Sequence, residues 1–125
     1  MPAYDFAAIR VVPRVDREEF VNVGVILHSR TLKFLGARVQ LDAERLTSLW
    51  PAVDLELVRR HLETIPRVCA GEPDAGPIAA LSASERFHWL VSPRSTIIQT
   101  SPVHSGICDS PETALNELFD RLVRA

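Results

Sequence analysis

The stretch FVNVGVILH, Phe20 to His28, constrains the fold most. Four of its nine residues are β-branched and none is proline, so it reads as a strand. Val21, Val23, Val25 and Leu27 alternate onto one face, the expected core face. Phe20, Asn22, Gly24, Ile26 and His28 fall on the other. That second face is mixed, and the strand is interrupted by Gly24, which marks a bulge or a place where something approaches the backbone closely.

A strand of this kind needs partners. Tyr4 to Val12 is equally rich in β-branched and aromatic residues, and the polar loop PRVDREE, opened by Pro13, separates the two. After the turn HSRT, Leu32 to Val39 supplies a third strand and completes an antiparallel meander. Asp42 then reads as the N-cap of a short helix that ends at Trp50, before Pro51. From Asp54, Leu55, Val58, Leu62, Ile65 and Cys69 form a helical stripe, with Glu56–Arg60 and Arg59–Glu63 paired on the outer face. Pro66 is expected to kink or end this helix, and GEPDAGP after it is too short to separate two domains.

Ser82 with Glu85 matches a capping box and opens a helix that turns Phe87, Leu90 and Val91 inward. The alternative for residues 83–91 is a strand with Phe87, Trp89 and Val91 on one side. Thr96 to Ser101 is a fourth strand, which Pro102 ends before a turn around Ser105 and Gly106. Ser110 as N-cap and Pro111 at the first helical position open the last helix, whose stripe is Leu115, Leu118, Phe119 and Leu122. The fold class is therefore α+β: a small antiparallel sheet, a three-stranded meander plus a fourth strand, with helices packed mainly on one face.

At 125 residues the chain suits a single domain, 1–125, with a core of its own. A net charge of −2 gives no global attraction for nucleic acid, so contact with a polyanion would have to be local. Two cysteines, Cys69 and Cys108, lie in no CxxC or histidine-rich pattern and read as buried free thiols. No apolar run reaches the roughly 20 residues of a membrane helix, and MPAYDFAAIR does not read as a signal peptide. The expected location is the cytoplasm, with no cofactor and no metal.

FVNVGVILHS after an arginine-containing first strand, RFHWLVSPRSTIIQTSPVHSG and a closing DSPETALNELFDRLV together resemble the bacterial family catalogued as domain of unknown function 3037. The resemblance covers nearly the whole chain. It implies no assigned activity. What it implies is a context, since such proteins are encoded beside a kinase similar to the HipA persistence kinases.

The richest uncommitted chemistry lies between Arg86 and Asp109. A triad drawn from Ser105, His104 and Asp109 rests on adjacency alone, and no GxSxG elbow is present. His88, His104 and Cys108 lack the paired spacing of a zinc site. Glu18 and Glu19 read as a solvated charge run, and His28 and His61 as surface or satisfied residues. An anion site uses the parts better: Arg94 offers a planar fork of donors, Ser95 and Thr96 add hydroxyls, and the last helix begins nearby at Ser110. If the fourth strand pairs with the first, Arg10, Asn22 and Gln99 converge, flanked by Arg94 and His104. These polar groups point to binding, of a kinase partner or a phosphate-type anion, more than to catalysis.

Overall fold

β-Branched runs at both ends of the PRVDREE loop pair as expected, but the sheet they start is wider than a four-stranded one. A computed structural model describes the chain apart from Val15, Asp16, Glu18, Ser95, Ala125 and the side chain of Arg14. Strands β1 (Ala3–Arg14) and β2 (Glu19–Ser29) form an antiparallel pair, and β3 (Phe34–Val39) adds to β2. The free side of β1 takes two short antiparallel strands end to end. These are β4 (Ile98–Thr100), opposite Ile9 to Val11, and β5 (His104–Ile107), opposite Ala3 to Phe6.

The fourth strand thus pairs with the first, as expected, while the expected turn at Ser105 and Gly106 is instead strand β5. Pro102, which has no N–H to give, interrupts the ladder without ending it. Gly106 belongs in that strand because a β-carbon there would stand 2.5 Å from the Tyr4 ring and hydroxyl. β3 begins two residues later than Leu32. Lys33 adopts φ 53° in a tight turn closed by its N–H on the Arg30 carbonyl.

β2 corrects the simple alternation. Ile9 faces Gly24 but Arg10 faces Asn22, so Val23 is an extra residue bulged out of the pairing. Past a bulge the side-chain period shifts by one. Val21, Val23 and Ile26 therefore enter one core, and Val25 and Leu27 enter another on the opposite face. Gly24 makes this possible, since a β-carbon there would lie 2.6 Å from the Arg38 carbonyl oxygen and 2.9 Å from Val39.

Both faces consequently need covering. On the first lie α1 (Ala43–Leu49), α2 (Leu55–Cys69) and α3 (Ala83–Leu90), burying Leu46, Val58, Leu62, Val68, Phe87 and Leu90 against Ala7, Ile9 and Val11. On the second lies α4 (Pro111–Phe119), continued by a π-helical turn, Asp120–Arg124. Its Leu115, Leu118 and Phe119 meet Val25, Leu27, Tyr4 and Phe6. Three of the four helices thus share a face. No described helix is long and apolar enough to cross a membrane.

Side-chain caps set the starts of these helices. Asp42, Asp54 and Ser110 each accept a backbone N–H of the first turn. Ser82 and Glu85 form both halves of a capping box, so residues 83–90 are helix and the strand alternative is excluded. Pro66 does not end α2, which runs on to Cys69. The N–H groups of Ala70, Glu72 and Gly71 take up the carbonyls of Pro66, Arg67 and Val68, and Arg86 adds bonds from outside, through Nη1 to Val68 (2.8 Å) and Cys69 (2.6 Å) and through Nε to Leu81 (3.0 Å) beyond the helix. The outer face of α2 carries an Arg59–Glu56 pair at 3.3 Å. Among the described residues the expected Glu56–Arg60 and Arg59–Glu63 pairs are not made.

Leu62 and Leu118 are each almost completely buried, on opposite sides of the sheet. Truncating either to alanine is expected to cost about 2–5 kcal/mol in denaturant unfolding. Gly24→Ala is expected to cost about 1–3 kcal/mol, because the β3 backbone has to move. Arg59→Ala should stay within about 0.5 kcal/mol.

Candidate functional site

Two proline-started 3₁₀ turns, Pro73–Ala75 and Pro77–Ala80, carry the chain from α2 to α3 and hold it away from the sheet edge. The space left between them, α2, the end of α3 and β4 is a cleft of about 630 Å³. Its walls are mainly apolar: Ile65 and Val68 from α2, Ile78, Leu90, and Ile97 and Ile98 leading into β4. Polar groups from His61, Thr64, Ser92, Arg94, Thr96 and Thr100 border it, and among the described residues no carboxylate lines it. The size and the mix of apolar wall with few polar groups are those of ligand-binding clefts.

At the mouth Trp89 is 43% exposed, although it is one of only two tryptophans in the chain. The Arg94 guanidinium lies 4.2 Å from the centre of its ring and donates through Nη2 to the Trp89 carbonyl at 2.5 Å. Arg94 has no acidic partner among the described residues, neither Asp109 nor Glu19. The strand wall is braced locally: Thr96 Oγ1 donates to the Ile98 carbonyl (2.7 Å), Gln99 Nε2 to Thr96 O (2.8 Å), and Thr100 Oγ1 to Val91 O (3.3 Å).

The expected polar surface is only partly assembled. Asn22, Arg10 and Gln99 do stand directly opposite one another across β2, β1 and β4, in one row on the α4 side of the sheet. Arg10 spends its charge on the Phe20 ring, 3.9 Å from the ring centre, and its buried Nε has no partner among the described residues. Asn22 donates to the Leu122 carbonyl at 3.2 Å and so ties down the C-terminal turn, while its buried Oδ1 goes unpartnered there. Arg10 and Gln99 make no hydrogen bond to each other. Gln99, at the sheet edge, also borders the cleft.

His104 is exposed on the same face as Arg10, with its ring 5.5 Å from that of Phe6. It pairs with Phe6, four positions from Arg10, which is roughly 13 Å along a strand. Arg94 belongs to the cleft, and Ser95 lies outside the described residues. The start of α4 cannot join Arg94 and Thr96 in an anion site. Ser110 caps its own helix at Thr113 N and faces a separate depression beside Tyr4, Ile107 and Cys108.

Pairing of β5 with β1 also creates a row that was hidden in the sequence: Ser105, Asp5 and His28 on three adjacent strands. Ser105 Oγ donates to Asp5 Oδ1 at 2.7 Å, and His28 stacks on Phe87 with ring centres 5.2 Å apart. The carboxylate sits in the middle, so no imidazole accepts the serine proton and the row is not a nucleophilic triad. Burial pushes the His28 pKa below its ordinary value, opposed by Asp5 and assisted by His88 and Arg30.

Cys69 and Cys108 are free and buried, and burial pushes the Cys69 thiol up to about 12, which removes its thiolate at neutral pH. Glu19 pairs with Arg17 at 2.6 Å, and Glu18 lies outside the described residues. No group of His, Cys, Asp and Glu among the described residues is placed to hold a metal ion.

These features define a small α+β protein built on a five-stranded antiparallel sheet, with a mainly apolar cleft along one sheet edge. The chain belongs to the family described as protein of unknown function, DUF3037, whose model matches residues 6–123. No curated protein matches the chain, and no solved structure does.

His28 gives a pH dependence with a definite sign. Its pKa in the folded chain lies below the unfolded value of 6.5, so the unfolded state takes the proton first as pH falls. Stability should therefore decline as pH drops below about 6.5, and His28→Gln should flatten that decline in denaturant melts run between about pH 7.5 and 5. Arg86→Ala, which removes three hydrogen bonds and leaves the Cys69 carbonyl without a partner among the described residues while Val68 keeps the Gly71 N–H, is expected to cost about 1–3 kcal/mol in the same assay.

Proposed function

We propose that this protein acts by binding, as a non-enzymatic regulatory partner, and that a segment of its partner enters the cleft between α2, α3 and β4. The partner is a kinase similar to the HipA kinases, encoded nearby, and the reading places both proteins in the cytoplasm. The observation that carries the proposal is the mouth of the cleft: an exposed tryptophan with a guanidinium on its face, above mainly apolar walls to which no described residue adds a carboxylate. Tryptophan and arginine of this kind are the residues on which interface energy concentrates.

Catalysis fits less well. Ser105 is bonded to a carboxylate, Cys69 is held as a thiol, and the polar row of Arg10, Asn22 and Gln99 is engaged locally. A free phosphate-type anion fits less well too, since the helix start that would have complemented Arg94 faces another depression.

Co-expression with the neighbouring kinase and affinity capture test the reading. The full chain should retain the kinase, and Arg94→Ala should weaken retention by at least about tenfold, the loss of roughly 1.4 kcal/mol. Its unfolding midpoint should barely move. Unchanged capture by Arg94→Ala, or its unfolding, contradicts the proposal.

A further inference from the structure

One wall of the cleft is the open edge of a sheet. On either side of β4 the Val12 N–H of β1 donates to the Ile97 carbonyl at 2.6 Å, and the Ser101 N–H donates to the Ala8 carbonyl of β1 at 2.8 Å. Residues 97 and 101 therefore turn their backbone toward β1. By the alternation of an antiparallel ladder, residues 98 and 100 turn theirs outward. Thr96 Oγ1 covers the outward carbonyl of Ile98. The outward N–H and C=O of Thr100 have no partner among the described residues, and Pro102 removes the next competing donor.

From this edge, and resting on the reading of the cleft as a binding site, we infer that the occupant is an extended acidic–apolar polypeptide segment that adds as a strand along β4. An added strand satisfies the Thr100 backbone and drops every second side chain into the cleft, against Ile65, Ile78 and Ile98. Charge complementarity sets the polar requirement. Among the described residues the lining offers Arg94 and no carboxylate, so the segment carries one Asp or Glu placed to reach the unused guanidinium donors. Edge pairing supplies affinity, and the carboxylate and alternate apolar side chains supply selectivity.

The test is a selection of displayed random linear heptapeptides on the full chain, with Thr64→Trp as a second bait. Thr64 is exposed on the α2 wall, so a tryptophan there fills the cleft from a side that β4 does not use. Enriched peptides are then made synthetically, with and without N-methyl groups at alternate residues and with Asp or Glu replaced by Asn or Gln. Peptides that bind the native chain but not Thr64→Trp support the cleft.

Strand addition requires in addition that N-methylation on one alternate set, and Thr100→Pro in the protein, each weaken binding at least about tenfold. Amide replacement of the acid and Arg94→Ala should have comparable effects. Because the Thr100 N–H is not used by β1, proline at that position leaves the β1–β4 ladder intact. The N-methyl peptides give the same answer without altering the protein. If cleft-dependent peptides tolerate both N-methylation and Thr100→Pro, or carry no acid, strand addition is overturned while the cleft survives. If no peptide is enriched, or all enriched peptides bind Thr64→Trp equally well, both fail.

Discussion

Gly24 passes so close to β3 that a β-carbon would stand 2.6 Å from the Arg38 carbonyl, and the design of the sheet follows from that approach. It accommodates the bulge at Val23, and the bulge exchanges the two faces of β2. A regular strand would have put Val21, Val23, Val25 and Leu27 into one core. With the exchange, apolar side chains leave the sheet in both directions. The helix α4 is then required on the second face as much as α2 and α3 on the first, because either layer alone leaves one set of aliphatics in water.

Two layers fixed to one sheet also determine where the irregular surface falls. On the α4 side the gap beyond Leu118 and Phe119 is closed by Asn22 holding Leu122, and by Arg10 lying on Phe20. On the α2 side the chain must return from Cys69 to the sheet edge, and it does so through two proline-led turns clamped to the end of α2 by Arg86. The cleft is the volume that this return leaves against β4. Its walls are therefore positioned by rigid elements, while its mouth is formed by Trp89 and Arg94 at the exit of α3.

Helix starts were legible because their signals are local: Asp42, Asp54, Ser82 and Ser110 each satisfy a donor within three residues. The α+β class and the β1–β4 pairing could be read for a related reason, since long β-branched runs leave few alternatives. The side on which each valine of β2 lies could not be read, although Gly24 announced a bulge, because the residue bulged out is settled by register with β1 and β3. Arg86 looked like free functional chemistry and is structural, since its three carbonyl acceptors come together only when α2 packs beside α3. Ser105 and Gly106 have turn composition, yet tertiary pairing with Tyr4 and Asp5 makes them strand. Arg94, Thr96 and Gln99 do border one cleft, whereas Arg10 and Asn22 lie behind it, a division that depends on the face each strand position takes.

Addition of a partner strand along the cleft rests on one property of the edge strand: β4 spends one side of its backbone on β1 and keeps the other available at Thr100. Site-resolved amide hydrogen exchange of the full chain, followed by NMR, measures this at two consecutive residues. Ser101, whose N–H donates to Ala8, should be strongly protected, and Thr100 should exchange with little protection. Equal, strong protection of Thr100 in the free chain would mean that the outer edge is already occupied, and would contradict the account.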